Sequence, residues 1–259
     1  MEMDNKSDVQ KQFGSTARSY VTSEIHQKGK DLQLLLAISE ITGEENLLDI
    51  ATGGGHTANL FAPHVKHVTA LDLTQPMLQE AEKFIKGNGH KNVEFVQGDA
   101  EQLPFSDQTF DIVTCRIAPH HFPNIEKFIE EAYRVLKNEG YFLLDDNVTP
   151  ESDEQDQFYN TVEKLRDYSH FRAWKKTEWL KMLELQGFLV EELYRFEKTF
   201  EFDSWCNRMQ LSKTNKDEIT NLMLNSSQEI KKRFHIITID QSILSFKGEA
   251  IIIKARKAF

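Results

Sequence analysis

Between Asn46 and Val148 short runs of β-branched and apolar residues alternate with longer stretches whose apolar positions recur three and four apart. That alternation is the pattern of a parallel sheet covered by helices. It predicts strands at Leu47–Ala51, Val68–Asp72, Val93–Gly98, Phe110–Arg116 and Tyr141–Asp145, with helices near His56–Phe61, Gln75–Lys86 and Ile125–Leu136. Gly87-Asn88-Gly89 and Asn138-Glu139-Gly140 each offer a left-handed residue to stop a helix before the next strand. Ahead of this unit, Val9–Ile41 reads as two helices with Leu32, Leu34, Leu35, Leu36 and Ile38 buried, expected to lie across one edge of the sheet. After Pro150 come a polar, aromatic-rich stretch (Gln157–Trp174), a helix at Thr177–Gln186 stopped by Gly187, and a strand near Leu189–Phe196. A charged helical stretch (Asp203–Phe234) and an apolar run (Gly248–Ala255) that can form a last strand complete the chain. The expected organisation is one domain over 1–259: covering helices in 1–45, an α/β core in 46–149, and a substrate-side region with the last strands in 150–259.

Composition narrows the partners. The 259 residues are 39% hydrophobic and 28% charged, which is globular, and the formal net charge of −10 repels phosphate backbones and anionic membrane surfaces. Nucleic acid is therefore not an expected partner. The longest apolar runs, Leu34–Ile38 and Ala250–Ile253, fall far short of the ~20 residues that span a bilayer, so membrane insertion is not expected either. Met1–Gln12 is polar and lacks the apolar core of an export signal. Cys115 and Cys206 stand far apart and form no CxxC pair, as suits free thiols in a reducing cytoplasm, the expected location.

The chemistry concentrates after the first strand. Leu47-Leu48-Asp49-Ile50-Ala51-Thr52-Gly53-Gly54-Gly55-His56-Thr57-Ala58 joins a buried strand, three consecutive glycines and a helix start. Glycine there lets the backbone approach a ligand, and the free N–H groups of the helix start receive polar or anionic atoms. Gly53-x-Gly55-x-x-Ala58 also satisfies the dinucleotide fingerprint, with Asp72 ending the second strand as an acceptor for ribose hydroxyls, so NAD(H) is a competing ligand. Asp49 separates the two readings: inside the first strand it repels a pyrophosphate and attracts the ammonium of S-adenosylmethionine. Gly98-Asp99-Ala100 adds a third acid at a third strand end, where Asp99 can accept from an exocyclic amine of adenine while the N–H of Ala100 donates to a ring nitrogen. The order Asp49, Asp72, Asp99 then follows methionine end, ribose and adenine along the carboxyl edge of the sheet.

These residues resemble the class I S-adenosylmethionine-dependent methyltransferases, and more narrowly the group like the ubiquinone/menaquinone-biosynthesis methyltransferases. The carrying segments are Leu47–Thr57, Val68–Met77, Val93–Pro104, Phe110–Pro123 and Ala132–Leu144, together with Phe13-Gly14-x-x-Ala17-x-x-Tyr20, which is similar to the helix that covers the cofactor in such enzymes. The resemblance implies a Rossmann-like, doubly wound seven-stranded sheet whose last strand is antiparallel. It implies a donor site formed by Tyr20, Asp49, Ala51, Thr52, Gly53, Gly55, Asp72, Leu73, Met77, Asp99, Ala100, Arg116 and Ile117. Ala51 stands where the family usually has a first glycine, and Glu139-Gly140 where many members have two glycines.

The loop Ile117-Ala118-Pro119-His120-His121-Phe122-Pro123 follows the fourth strand, so the same fold sets it beside the reacting methyl. His120 or His121 is the expected proton-transfer residue if the nucleophile needs a base, because imidazole titrates in the useful range. Tyr168, His170 and Arg172 are expected to contact a planar or anionic acceptor. Asp145-Asp146-Asn147 is similar to the metal-binding Asp-Asn of catechol-type O-methyltransferases, but Arg116 replaces the further carboxylate that such a site requires, so no metal site is expected. The expected activity is methyl transfer from S-adenosylmethionine to a small organic molecule, yielding S-adenosylhomocysteine. The alternatives are a nicotinamide-dependent oxidoreductase and a non-catalytic S-adenosylmethionine-binding protein. The covering helices can pack on their own sheet or on a second subunit, so a homodimer is open.

Overall fold

The computed structural model describes residues 2–21 and 29–258, with side chains described over 5–14 and 29–258. Among the described residues, two helices, Glu2–Val21 (α1) and Lys30–Ala37 (α2), precede the sheet. The expected alternation then follows as Asn46–Ile50 (β1), His56–Phe61 (α3), His67–Asp72 (β2), Gln75–Gly87 (α4), Val93–Gln97 (β3), Phe110–Arg116 (β4), Ile125–Val135 (α5) and Leu136–Thr149 (β5). The region after Pro150 supplies Asp153–Arg166 (α6), Trp174–Lys175 (β6), Lys176–Gln186 (α7), Phe188–Glu201 (β7), Phe202–Arg208 (α8), Lys213–Leu224 (α9), Gln228–Arg233 (α10), Ile237–Ile239 (β8) and Ser242–Lys257 (β9).

The main sheet runs β3-β2-β1-β4-β5-β9-β7, with β6 added to β5 and β8 to β9. The first five strands are mutually parallel, whereas β9 is antiparallel to both β5 and β7. The last strand is thus antiparallel as expected, and it inserts between β5 and β7, leaving β7 at the edge. The chain reverses at β1, since β2 and β3 lie on one side of it and β4 and β5 on the other. That reversal opens a crevice above the carboxyl ends of the central strands, where open α/β sheets take their ligands.

Strand periodicity decides the two faces. Leu48, Ile50, Val113, Phe142 and Leu144 pack with Phe128, Ile129, Trp179 and Leu183 from α5 and α7. Leu47, Val68, Ala70, Ile112 and Leu143 pack with Leu35, Phe61 and Ile85 from α2, α3 and α4. Each fully buried Leu, Ile or Phe contributes ~1.5–3 kcal/mol. A third apolar cluster joins α6, α8, α9, α10 and the outer parts of β7 and β9 through Phe158, Trp205, Met223, Phe234 and Phe246. It forms a separate packed cap beside the sheet.

Two expectations change in detail. β5 begins at Leu136 because Leu136 already pairs with Phe110; the register then shifts before Ile112 pairs with Tyr141. The left-handed residue in between is Glu139, at φ +64°, while a Cβ on Gly140 would come within 2.8 Å of the Asp111 carbonyl oxygen. Neither described amino-terminal helix lies along a lateral edge of the sheet: α1 crosses the carboxyl ends of the strands, and α2 packs on one sheet face through Leu35. From α1, Asn5 donates to the His121 carbonyl at 2.8 Å and Gln10 to the Leu73 carbonyl at 3.2 Å.

Candidate active site

Three carboxylates at three strand ends open onto one cavity of about 530 Å³, together with Ala51, Thr52, Gly53, Leu73, Met77, Ala100, Arg116, Ile117, His120, His121 and His170. The loop after β1 is built from left-handed backbone. Ala51 takes φ +54°, supplying the conformation for which the family usually uses glycine, and Gly53 follows at +55°. A Cβ on Gly53 would meet only the Ala51 carbonyl oxygen, at 3.9 Å, so this glycine stands clear of packing. Gly55 differs. It precedes α3 at φ +80°, and a Cβ there would lie 2.9 Å from Ile85 and 3.0 Å from Ala81 of α4. Its bareness serves helix packing, and it does not line the cavity.

Asp49 is fully buried between the hydroxyls of Thr52 and Thr114, which donate to it at 2.6 and 2.7 Å. Burial pushes its carboxyl up to about 6 despite these bonds. Asp72 accepts the N–H of Gly53 at 2.9 Å and that of Thr74 at 2.8 Å, and burial likewise raises it to about 6. It thereby ties the glycine loop to the start of α4. Asp99 receives the N–H of Glu101 at 2.9 Å, and Lys6 of α1 reaches both Asp99, at 2.7 Å, and Glu101, at 2.5 Å. Lys6 is a cavity residue that sequence reasoning missed, because its partners lie 93 residues or more away.

At the end of β4, Arg116 pairs through Nε with Asp31 of α2 at 2.8 Å and stands 3.5 Å from buried Asp145. Burial lifts the Asp145 carboxyl to about 7. Burial alone would raise Asp31 too, but the Arg116 charge overrides it and holds that carboxyl below its usual range. Ile117, a β-branched residue, sits at φ +54°, fixed by a 2.7 Å bond from its N–H to the Asp145 carbonyl. Such backbone persists only where its surroundings over-determine it, as they do beside this cavity.

The short helical turn Pro119–His121 presents two histidines, and His170 joins them: ring centroids lie 4.3 Å apart for His120 and His121 and 5.6 Å apart for His120 and His170. His120 Nδ1 is 2.6 Å from Oδ1 of fully buried Asp146. Burial disfavours its imidazolium, yet the Asp146 charge prevails and the pKa is raised. His121 bonds the Ser169 carbonyl through Nδ1 at 3.1 Å, and burial followed by the His120 charge lowers it to about 4. His170 donates through Nε2 to Asn160 Oδ1 at 2.9 Å, and burial keeps it neutral.

Of the expected acceptor contacts, only His170 lines the cavity. Tyr168 is 45% exposed, and Arg172 is turned away to Asp156 and Glu178 at 3.3 and 3.1 Å. The aromatic and polar wall comes instead from Phe200, Trp205, Asn207 and Lys198 on β7 and α8, beside Glu163, Arg166 and Asp167. The Arg166 guanidinium lies 4.6 Å above the Trp205 ring. In the sequence Trp205 stands at the head of the charged helical stretch, where it reads as packing rather than chemistry, so no sequence signal distinguished it. Phe13, in the motif similar to the family's covering helix, lines the cavity and meets the His121 ring edge-on at 5.1 Å. The side chain of Tyr20, in the same motif, lies outside the described residues.

A family model described as a methyltransferase domain matches residues 48–144. The uncharacterized methyltransferase YcgJ of Bacillus subtilis is 36% identical over 247 residues, spanning 95% of this chain and 97% of that protein. Its crystal structure superposes with a TM-score of 0.87, covering 88% of this chain and 98% of that one. A candidate methyltransferase from Bacillus halodurans, 55% identical, superposes with a TM-score of 0.88 over 89% of this chain and 100% of that one. The C-methyltransferase UbiE of Bartonella bacilliformis, which acts in ubiquinone/menaquinone biosynthesis, is 32% identical over 225 residues, 82% of this chain and 84% of that protein. With the strand order, the glycine loop and the match to YcgJ over nearly its whole length, the chain belongs to the S-adenosylmethionine-dependent methyltransferases.

Proposed function

We propose that this cavity binds S-adenosylmethionine along Asp49, Asp72 and Asp99 and a small organic acceptor beneath the cap. The observation that carries the reading is Asp49: a buried carboxyl held by two hydroxyls, without a cation within ion-pair distance among the described residues, beside Gly53, which stands clear of packing. Its missing partner is a positive group, which the ammonium of the donor supplies and a pyrophosphate does not. Asp72 keeps lone pairs for ribose hydroxyls while holding the Gly53 and Thr74 N–H groups. Asp99 and the Ala100 N–H suit the adenine edge, and Leu73 and Met77 line the cavity at the ends of β2 and α4.

When bound, the donor supplies an electrophilic methyl on a positively charged sulfur. The chain's residues align the acceptor and exclude water, from which most of the acceleration of an in-line displacement can come. Ile117 and Arg116 fix the floor at the end of β4, α1 closes over Asp99 and Leu73, and Phe200 and Trp205 wall the acceptor side. The formal net charge of −10 favours a small molecule over a polyanion. Calorimetric titration with S-adenosylhomocysteine and with NADH tests the donor: the first is expected to bind and the second not. Binding of NADH alone would refute the reading. Incubating metabolite extracts with methyl-labelled S-adenosylmethionine then identifies the acceptor by label in a new small compound.

A further inference from the structure

Three imidazoles stand at the acceptor end, and their second contacts set them apart. His170 is committed through Nε2 to Asn160, at 2.9 Å. His121 spends Nδ1 on the neutral Ser169 carbonyl, and its Nε2 is 4.0 Å from the Asp167 carboxylate. His120 alone of the three has a carboxylate in hydrogen-bond contact, at 2.6 Å, and that contact takes Nδ1, leaving Nε2 without a hydrogen-bond partner among the described residues on a side chain that lines the cavity. Asp146 is wholly buried, and its other oxygen, Oδ2, has no hydrogen-bond partner among the described residues. A carboxylate so placed accepts the Nδ1–H and thereby fixes which nitrogen of the neutral ring is bare.

We propose that His120, through Nε2, takes the proton of the methyl acceptor, with Asp146 as its positioning residue, so that the acceptor is a molecule whose attacking atom carries a dissociable hydrogen. This rests on the methyl-transfer reading above. The bond from that hydrogen to the acceptor atom breaks heterolytically. Its proton goes to Nε2, its electron pair forms the bond to the methyl carbon, and the methyl–sulfur pair stays on sulfur and cancels its charge. The imidazolium formed is stabilised by Asp146 and later returns its proton to water. Hydroxyl compounds, primary and secondary amines and acidic carbon acids fit; tertiary amines and thioethers, whose attacking atom carries no hydrogen in the nucleophilic form, do not need this arrangement.

Other groups also act on the His120 ring. Asp146 faces it from β5, Glu163 from α6, Asp167 and His170 from the segment after α6, and His121 from its own turn. Among the described residues only Asp146 is hydrogen-bonded to the ring, so its removal is what changes the tautomer.

Nitrogen-15 NMR of the full chain, labelled in histidine, tests the assignment, with His120→Gln identifying the signal. The neutral His120 ring is expected as the Nδ1–H tautomer in the wild type. In Asp146→Asn that preference is lost and the pKa falls by about one unit or more. An Nε2–H ring in the wild type, or an unchanged pKa in a folded Asp146→Asn, would overturn the proposal. The wild-type tautomer stands as a test even if the variant does not fold. Calorimetry with S-adenosylhomocysteine on the same samples keeps the two levels apart. Unchanged affinity in Asp146→Asn shows an intact donor site, whereas no binding by the wild type removes the methyl-transfer reading and the proposal with it. In the labelled-extract screen, label in an ether, an amine formed with loss of a proton or a C-methyl compound agrees; label only in quaternary ammonium or sulfonium products contradicts it.

Discussion

The two carboxyls that hold the glycine loop carry opposite consequences for stability and for ligand. Asp49 and Asp72 titrate near 6 in the folded chain against an ordinary 3.8. The folded state therefore keeps protons that the unfolded chain has released, so these groups add stability below about 4 that is lost as pH rises through about 6. Donor binding runs the other way, because an ammonium beside Asp49 needs the carboxylate ionised. Affinity for S-adenosylhomocysteine is expected to weaken as pH drops below 6, by up to about tenfold per unit for each titrating group, with a shallower slope in Asp49→Asn. Calorimetry between pH 5 and 8 reads this directly, and a flat profile would mean that Asp49 does not face the ammonium. Asp72→Ala removes a charged acceptor worth ~1.5–3 kcal/mol, so affinity at neutral pH is expected to fall about 10- to 150-fold. An unchanged dissociation constant in the same titration would end the ribose assignment.

At the scale of elements, two glycines two residues apart answer to different demands. Gly55→Ala puts a side chain at φ +80° and presses its Cβ into Ile85 and Ala81. Left-handed backbone costs ~1–2 kcal/mol and overpacking ~1–3 kcal/mol more, so the variant is expected to lose about 2–5 kcal/mol, visible as a lowered midpoint in thermal or urea unfolding. Gly53→Ala meets open space and is expected to lose only the backbone share, ~1–2 kcal/mol, while donor binding suffers. Equal stability losses would show that the α3–α4 contact does not set the Gly55 requirement. The sequence spacing marked both glycines without telling these roles apart, because the neighbours of Gly55 sit on the next helix. β4 was legible to the residue, being short and locally patterned, while β5 was read as Tyr141–Asp145 and runs over Leu136–Thr149. Its first pair spans a register shift that no local periodicity announces. The strand ends and their acids were legible because a parallel sheet puts every such turn on one edge. Lys6, Asp31 and the Asp146–His120 pair were not, because each is a meeting of side chains far apart in sequence.

Across the whole molecule the donor half and the cap are built on different cores. Asp49, Asp72 and the glycine loop rest on the two sheet faces, whereas Trp205 and Phe200 rest on the third cluster, where Phe246 meets their rings at 4.9 and 5.1 Å. Loosening that cluster should therefore disturb the acceptor wall and spare the donor site. Phe246→Ala deletes a buried ring at a cost of ~3–5 kcal/mol to the packing around it. Phe246 lies on the outer part of β9, paired with β7 beyond the pairing of Val148 with Glu249 and away from the sheet centre. Amide hydrogen exchange is expected to accelerate in α8, α9 and α10 while β1, β2 and β4 stay protected, with affinity for S-adenosylhomocysteine changed by less than about threefold. Turnover of the acceptor, once the labelled screen has named it, should fall far more than that. Uniform acceleration across sheet and cap, or donor affinity lost in proportion to stability, would mean that one cooperative unit holds both halves of the site and that the cap has no independent hold on the acceptor.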